Sequence, residues 1–268
     1  MKANLVFAVC ALLAPACPAL AATFALNPAS DAFVSSRTAQ NALGTAAIKD
    51  SNYGAAGALA VSAAGLPKGE FDSLLKFDFA PAKASFDLTL GTGQWAVTAI
   101  TLQLTAQPPN NAIFNGSGTT PANTAGNFVM SWMQNNSWVE GGGTPSSPTT
   151  TGIKFSTLSS FLGPSDQALG TFAFGGATSG NTIYTLGLAS SFVADVAQGN
   201  LSSVLLAPAE AVVALVVTSG NFGATGNASR PLLTVTASPV PEPGSAMLLA
   251  GGMCAWLARR RPRDARAA

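Results

Sequence analysis

The chain predicts an all-β fold: a single antiparallel β-sandwich of jelly-roll type, set between an N-terminal signal peptide and a short C-terminal membrane helix. Three observations carry the prediction. Short apolar or alternating runs recur between turn residues along the whole middle of the chain. The composition is rich in Gly, Ala, Ser, Thr and Asn and low in charge, which suits strands and polar loops better than a helical bundle. The two ends differ in character from everything between them, and the remainder, roughly 220 residues, is long enough for one sizeable core.

Taken in order, Met1-Lys2-Ala3-Asn4 is followed by an apolar run from Leu5 to Leu13 and then by small residues ending in Ala19-Leu20-Ala21. A basic start, a short apolar centre and an A-x-A site define a secretory signal peptide over residues 1–21. Cleavage is expected after Ala21, with Ala22 as the alternative. Cys17 follows Ala14-Pro15-Ala16, a poor setting for lipidation.

Strands are predicted at Asp31–Ser35, Ala58–Ala63, Phe71–Phe79, Trp95–Ala106, Asn127–Met133, Leu169–Phe174, Thr182–Leu188, Val212–Thr218 and Leu232–Ala237. The clearest is Val97–Thr105, where Ile100, Leu102 and Leu104 share one face and Thr and Gln the other. One helix is expected at Ser191–Gln198, capped by Ser190 or Ser191 and stopped by Gly199. Gln107–Gly126 and the stretch from Gly141 to about Thr151 read as long loops, and Asp78 and Asp87, flanking Pro81, are expected on another loop. The domain runs over residues 22–238, and residues 239–268 form a separate tail.

In that tail, Pro241-Glu242-Pro243 precedes an apolar stretch from Ser245 to Ala258, closed by Arg259-Arg260-Arg261. Prolines force an extended entry. The stretch is short for a permanent anchor, and the arginines resist translocation. The three parts in this order, over about 29 residues from Val240 to Ala268, resemble the PEP-CTERM sorting signal of bacterial exported proteins. The resemblance implies two processing partners, signal peptidase and an exosortase that removes the tail, together with transient inner-membrane anchoring. An uncut single-span anchor is the alternative reading.

Composition narrows the function. From Ala22 to Pro243 there are five Lys and two Arg against seven Asp and four Glu, a net charge of −4, so nucleic acid is excluded as a partner class. Every cysteine lies in one of the two end segments, and histidine is absent. A Ser-His-Asp triad and the usual zinc sites are thereby removed, and carboxylate chemistry is left as the available route to catalysis. No catalytic residue is assigned, and no enzyme is expected.

The pieces Asp31–Ser36, Ser51-Asn52-Tyr53-Gly54, Ala58–Ser62, Ser73–Asp78, Ala99–Leu104, Trp138-Val139-Glu140 and Arg230–Val235, in this order, resemble the DNRLRE-type exported β-sandwich domains. The chain departs from that pattern at Asp72-Ser73, where an Arg is often found, and lacks the motif that names the family. Some members are regarded as carbohydrate-binding modules. The resemblance therefore implies a surface or exopolysaccharide-associated role with polysaccharide as the partner.

Sugar binding calls for an exposed aromatic face beside amide or acid side chains, and the candidates are Tyr53, Trp132 and Trp138. Trp132, Trp138 and Glu140 share a face if the segment is extended throughout, although Gln134-Asn135-Asn136 favours a turn between them. Each tryptophan either packs in the core or forms a stacking platform. Tyr53 either projects from its Asn-Tyr-Gly turn or folds back. Trp95, opening a strand, reads as core. Asp31, Asp50, Asn52 and Asp72 offer oxygen donors suited to calcium, but without an EF-hand spacing no metal ligand is assigned and no cofactor is expected. Three functions follow: a polysaccharide-binding surface module, a structural matrix protein, and, less favoured, a secreted carbohydrate-active enzyme using carboxylates alone.

Overall fold

A computed structural model describes residues 20–108, 123–223 and 228–240. The expected signal peptide, apart from Leu20 and Ala21, lies outside the described residues, as do Pro241, Glu242, Pro243, the apolar tail and Arg259, Arg260 and Arg261. No helix among the described residues is long and apolar enough to cross a membrane.

The strands are β1 (Ala22–Leu26), β2 (Ser30–Ser35), β3 (Ala58–Ser62), β4 (Phe71–Asp78), β5 (Trp95–Thr105), β6 (Gly126–Met133), β7 (Gln167–Phe174), β8 (Asn181–Leu186), β9 (Leu201–Pro208), β10 (Ala214–Thr218) and β11 (Leu232–Pro239). The helices are α1 (Ala80–Leu90), the single turn α2 (Phe155–Leu158) and α3 (Ser190–Gln198). The strands form two antiparallel sheets. A four-stranded sheet runs β1-β11-β5-β8, and a seven-stranded sheet runs β10-β3-β4-β9-β6-β7 with β2 on the other edge of β4. β3 meets β4 through one residue pair, Ser62 and Phe71. Beyond it the Ser73 hydroxyl substitutes for ladder bonds, donating to the Ala60 carbonyl (2.7 Å) and accepting from the Ala60 N–H (2.9 Å).

One apolar core is shared by both sheets. Ile100, Leu102 and Leu104 of β5, Leu233 and Val235 of β11 and Tyr184 of β8 meet Leu75 and Phe77 of β4, Phe128 and Met130 of β6 and Val204 and Leu206 of β9. The alternation predicted for β5 holds. On its other side Thr101 lies opposite both Thr185 and Thr234. A half-wet antiparallel sheet reads this way because successive side chains point to opposite faces.

The larger sheet is covered on its outer face as well. The segment after β6 folds back so that Trp138, Ile153 and Leu158 pack on Ala32 and Val34 of β2 and Leu74 of β4. Both faces of β4 are therefore dry, and its first seven residues are all buried.

Three expectations are corrected. Asp78 and Asp87 do not lie on a loop: Asp78 ends β4 and Asp87 lies in α1. Residues 80–90 form α1, entered through Pro81 in its first turn, where a missing N–H costs nothing. Ala82 and Phe86 bury into the core, and the exposed side carries the Lys83–Asp87 ion pair at 2.5 Å. β1 and β9 occupy stretches not predicted as strands. β9 lies between β4 and β6, and with both faces covered its Leu-Ser-Ser-Val-Leu-Leu run shows no alternation. The helix α3 forms where expected and ends at Gly199 in the left-handed region (φ 71°), but its N-cap is Ala189 and no side chain caps it. Instead the Gln167 side-chain oxygen accepts from the Ser191 N–H at 3.0 Å.

Candidate functional site

Asn and Gly in Asn52-Tyr53-Gly54 favour a turn, and the turn is tied to the Gly141–Gly143 loop by the Asn52 side chain. Its amide donates to the carbonyls of Glu140 (2.6 Å) and Ile153 (2.8 Å), and its oxygen accepts from the N–H groups of Gly54 (3.1 Å) and Gly143 (3.2 Å). The loop must be glycine here. A Cβ at Gly143 would collide with the Asn52 carbonyl, and one at Gly141, which also has φ 78°, would collide with the Asn52 side chain.

This knot holds down the cover over β2 and β4 that includes Trp138, while Tyr53 and Trp132 are buried in other clusters. Tyr53 is 1 % exposed and stacks on Phe33 with ring centroids 5.1 Å apart. Trp138 is also 1 % exposed. Its indole N–H donates to the Ser203 hydroxyl (2.9 Å), while Lys76 lies over its ring at 4.3 Å and donates to its carbonyl (2.6 Å). Trp132 is 6 % exposed and donates to the Asp195 carboxylate (2.7 Å), which also accepts from Ser202 (2.8 Å). An exposed stacking platform at Tyr53, Trp132 and Trp138 is thus not what the fold presents. Each ring is worth more buried, and both indole N–H groups find a partner in the interior, whereas the Tyr53 hydroxyl is buried without one. Trp95 is half-buried, packed on Phe86 at 5.0 Å and bonded to Asp87 (2.8 Å).

The calcium-type donors are not brought together as a set. Asp31 lies opposite Leu75 and Asp72 opposite Val34, so alternation points the two carboxylates to opposite faces. Asn52 is committed to its knot. Among the described residues no group of three or more acidic, histidine or cysteine side chains could hold a metal. Asp31 accepts from the Gly220 N–H with one oxygen, and its other oxygen is buried without a partner. Burial above all, with the charge of Glu140, raises its pKa to about 7 against the opposing effects of Gly220 and Arg230. Glu140, held by Asn221 (2.6 Å) and by the Asp31 N–H, is itself raised by burial.

An open concavity lies where the 155–162 segment of the cover meets Lys49 and the start of β4. A cleft of about 460 Å³ is lined by Lys49, Glu70, Asp72, Phe155, Ser156, Leu158, Ser159 and Leu162. Glu70 and Asp72 come from the start of β4, with the ladder extended to Glu70 by the Ser36 N–H to Glu70 carbonyl bond (2.9 Å). At strand spacing two such residues point the same way, roughly 6–7 Å apart at Cα. Asp72 is 5 % exposed, and its Oδ1 has no partner. Burial, then the charge of Glu70, raises its pKa to about 7. Two smaller concavities border the same 155–162 segment, one at Gln134, Asn135 and Asp166 and one at Val139 and Lys154. Asp72 was legible only as a calcium-type donor, and the Glu-x-Asp spacing at a strand start was the available signal for the pair. Nothing in the sequence announced that Phe155, Leu158 and Leu162 would wall it.

No protein-family model matches the chain, and no curated protein matches it.

Proposed function

We propose that this protein is exported, processed at both ends, and acts as a β-sandwich domain of the cell surface or extracellular polysaccharide matrix, meeting glycans at the Glu70–Asp72 cleft. The reading joins the signal peptide and PEP-CTERM-like tail to one structural observation. Strand pairing starts at Ala22, which lies opposite Ala237, and ends at Pro239. Cleavage after Ala21 and removal of a tail beyond Pro239 would leave every strand in place. Because β1 and β11 are neighbours, the two chain ends leave the sheet about one strand spacing, roughly 5 Å, apart. A precursor held in the inner membrane at its tail would then have its new N-terminus at the same end.

Replacing Pro241-Glu242-Pro243 with alanines tests the sorting step. Uncut precursor in the membrane fraction is the expected outcome, and normal maturation of that variant refutes the step.

The burial of Tyr53, Trp132 and Trp138 favours a second reading, a structural matrix protein with no specific ligand. A glycan array probed with the protein separates the two. Binding to one polysaccharide class supports the first reading, and silence from a folded sample supports the second.

A further inference from the structure

We infer that the cleft bounded by Lys49, Glu70, Asp72 and the 155–162 segment is a subsite for an organic ammonium group carried on an apolar ring face, the chemistry of a de-N-acetylated amino sugar. Its lining is uneven in charge. Two carboxylates face one lysine, and among the described residues neither Glu70 nor Asp72 forms an ion pair. Asp72 Oδ1 is a buried acceptor without a donor, a costly state that an N–H or O–H from a ligand relieves. An ammonium supplies the donor and the opposite charge together.

The remaining wall is apolar. Phe155 is half-buried and Leu162 is 40 % exposed, so a ring face has carbon to lie against while its hydroxyls reach Ser156 and Ser159. A uronate or phosphate would meet two carboxylates at once. A bare calcium ion seeks six to eight oxygens and gains nothing from Phe155, Leu158 and Leu162. The charged groups that share the cleft with Asp72 are Glu70 beside it on the strand, which opposes its ionisation, and Lys49. A bound cation reverses that balance and draws Asp72 into its charged form.

The inference rests on the extracellular reading only for where such a polymer is met. Binding in solution can succeed or fail whatever the tail variant shows. The test is calorimetric titration of the full chain in mild detergent at pH 7 with glucosamine tetramer, N-acetylglucosamine tetramer and galacturonate tetramer. The glucosamine tetramer is expected to bind at least tenfold more tightly than either of the others. Asp72→Asn and the partly exposed Glu70→Gln should each weaken it at least tenfold, whereas Asp50→Asn, outside the cleft, should leave it unchanged. Equal binding of the acetylated and free-amine tetramers, no binding of any, or unchanged affinity in a folded Glu70→Gln variant overturns the assignment. Mass spectrometry of the recovered tetramer should show it uncut. Shorter products would overturn a binding role in favour of hydrolysis by the carboxylate pair.

Discussion

The Asn52 carboxamide donates to the Glu140 carbonyl oxygen at 2.6 Å across 88 residues of chain, and this contact joins the connection between β2 and β3 to the loop that covers the outer face of the sheet. With its bonds to Ile153, Gly54 and Gly143, Asn52 uses both amide atoms while completely buried. Asn52→Ala would strand several backbone groups in the interior. We expect a loss of about 3 kcal/mol, read from urea unfolding. Gly143→Ala should be comparably damaging, since its Cβ would occupy the space of the Asn52 carbonyl. Wild-type stability in either variant would show that the cover is not anchored here.

The interior placement of the tryptophans makes an optical prediction. Trp132 and Trp138 should emit as shielded indoles, resist acrylamide and show no shift on adding any glycan. Trp138→Ala should cost about 3–5 kcal/mol, the range for emptying a large aromatic site. A ligand-induced change traced to Trp138 by single-tryptophan variants would contradict the packing.

Asp31 and Asp72 set a pH dependence. Both have pKa values raised from 3.8 to about 7 by burial, so between those values the folded state holds protons that the unfolded state has released. Stability is greatest at the acid side of that window and declines as pH rises from about 4 to about 7, by at most about 1.4 kcal/mol per pH unit for each group. Thermal unfolding should therefore show a lower Tm at pH 7.5 than at pH 5. Asn at both positions, which keeps an acceptor for Gly220, should flatten the profile. A Tm that climbs steadily over the same range would contradict the buried state of these acids.

Much of the sandwich was legible because it obeys simple periodicity. β5 shows this best, with Ile100, Leu102 and Leu104 turned inward from an otherwise polar run. Legibility failed where a second layer removed the contrast. Ser202 and Ser203 of β9 look like surface residues, yet both are fully buried because Asp195 and the Trp138 indole take up their hydroxyls. The helix α1 was hidden by Pro81 and two aspartates that read as punctuation. Tyr53, Trp132 and Trp138 read from the sequence as candidate sugar-stacking rings, and all three are buried. Tyr53 stacks on Phe33 in a cluster that also draws in Phe71 and Val216, contacts that no local pattern encodes. The acid pair could be seen at Glu70-Phe71-Asp72, but its cleft is built by the 155–162 segment and exists only in three dimensions.

The measurement closest to the central claim is intact-mass spectrometry of the protein recovered from the surface or matrix of cells that express it. The account predicts a chain beginning at Ala22, or at Thr23, and ending between Pro239 and the start of the apolar stretch at Ser245, with the full sandwich retained. Recovery only of the whole 268-residue chain, with both ends intact and in the cytoplasm, would contradict it.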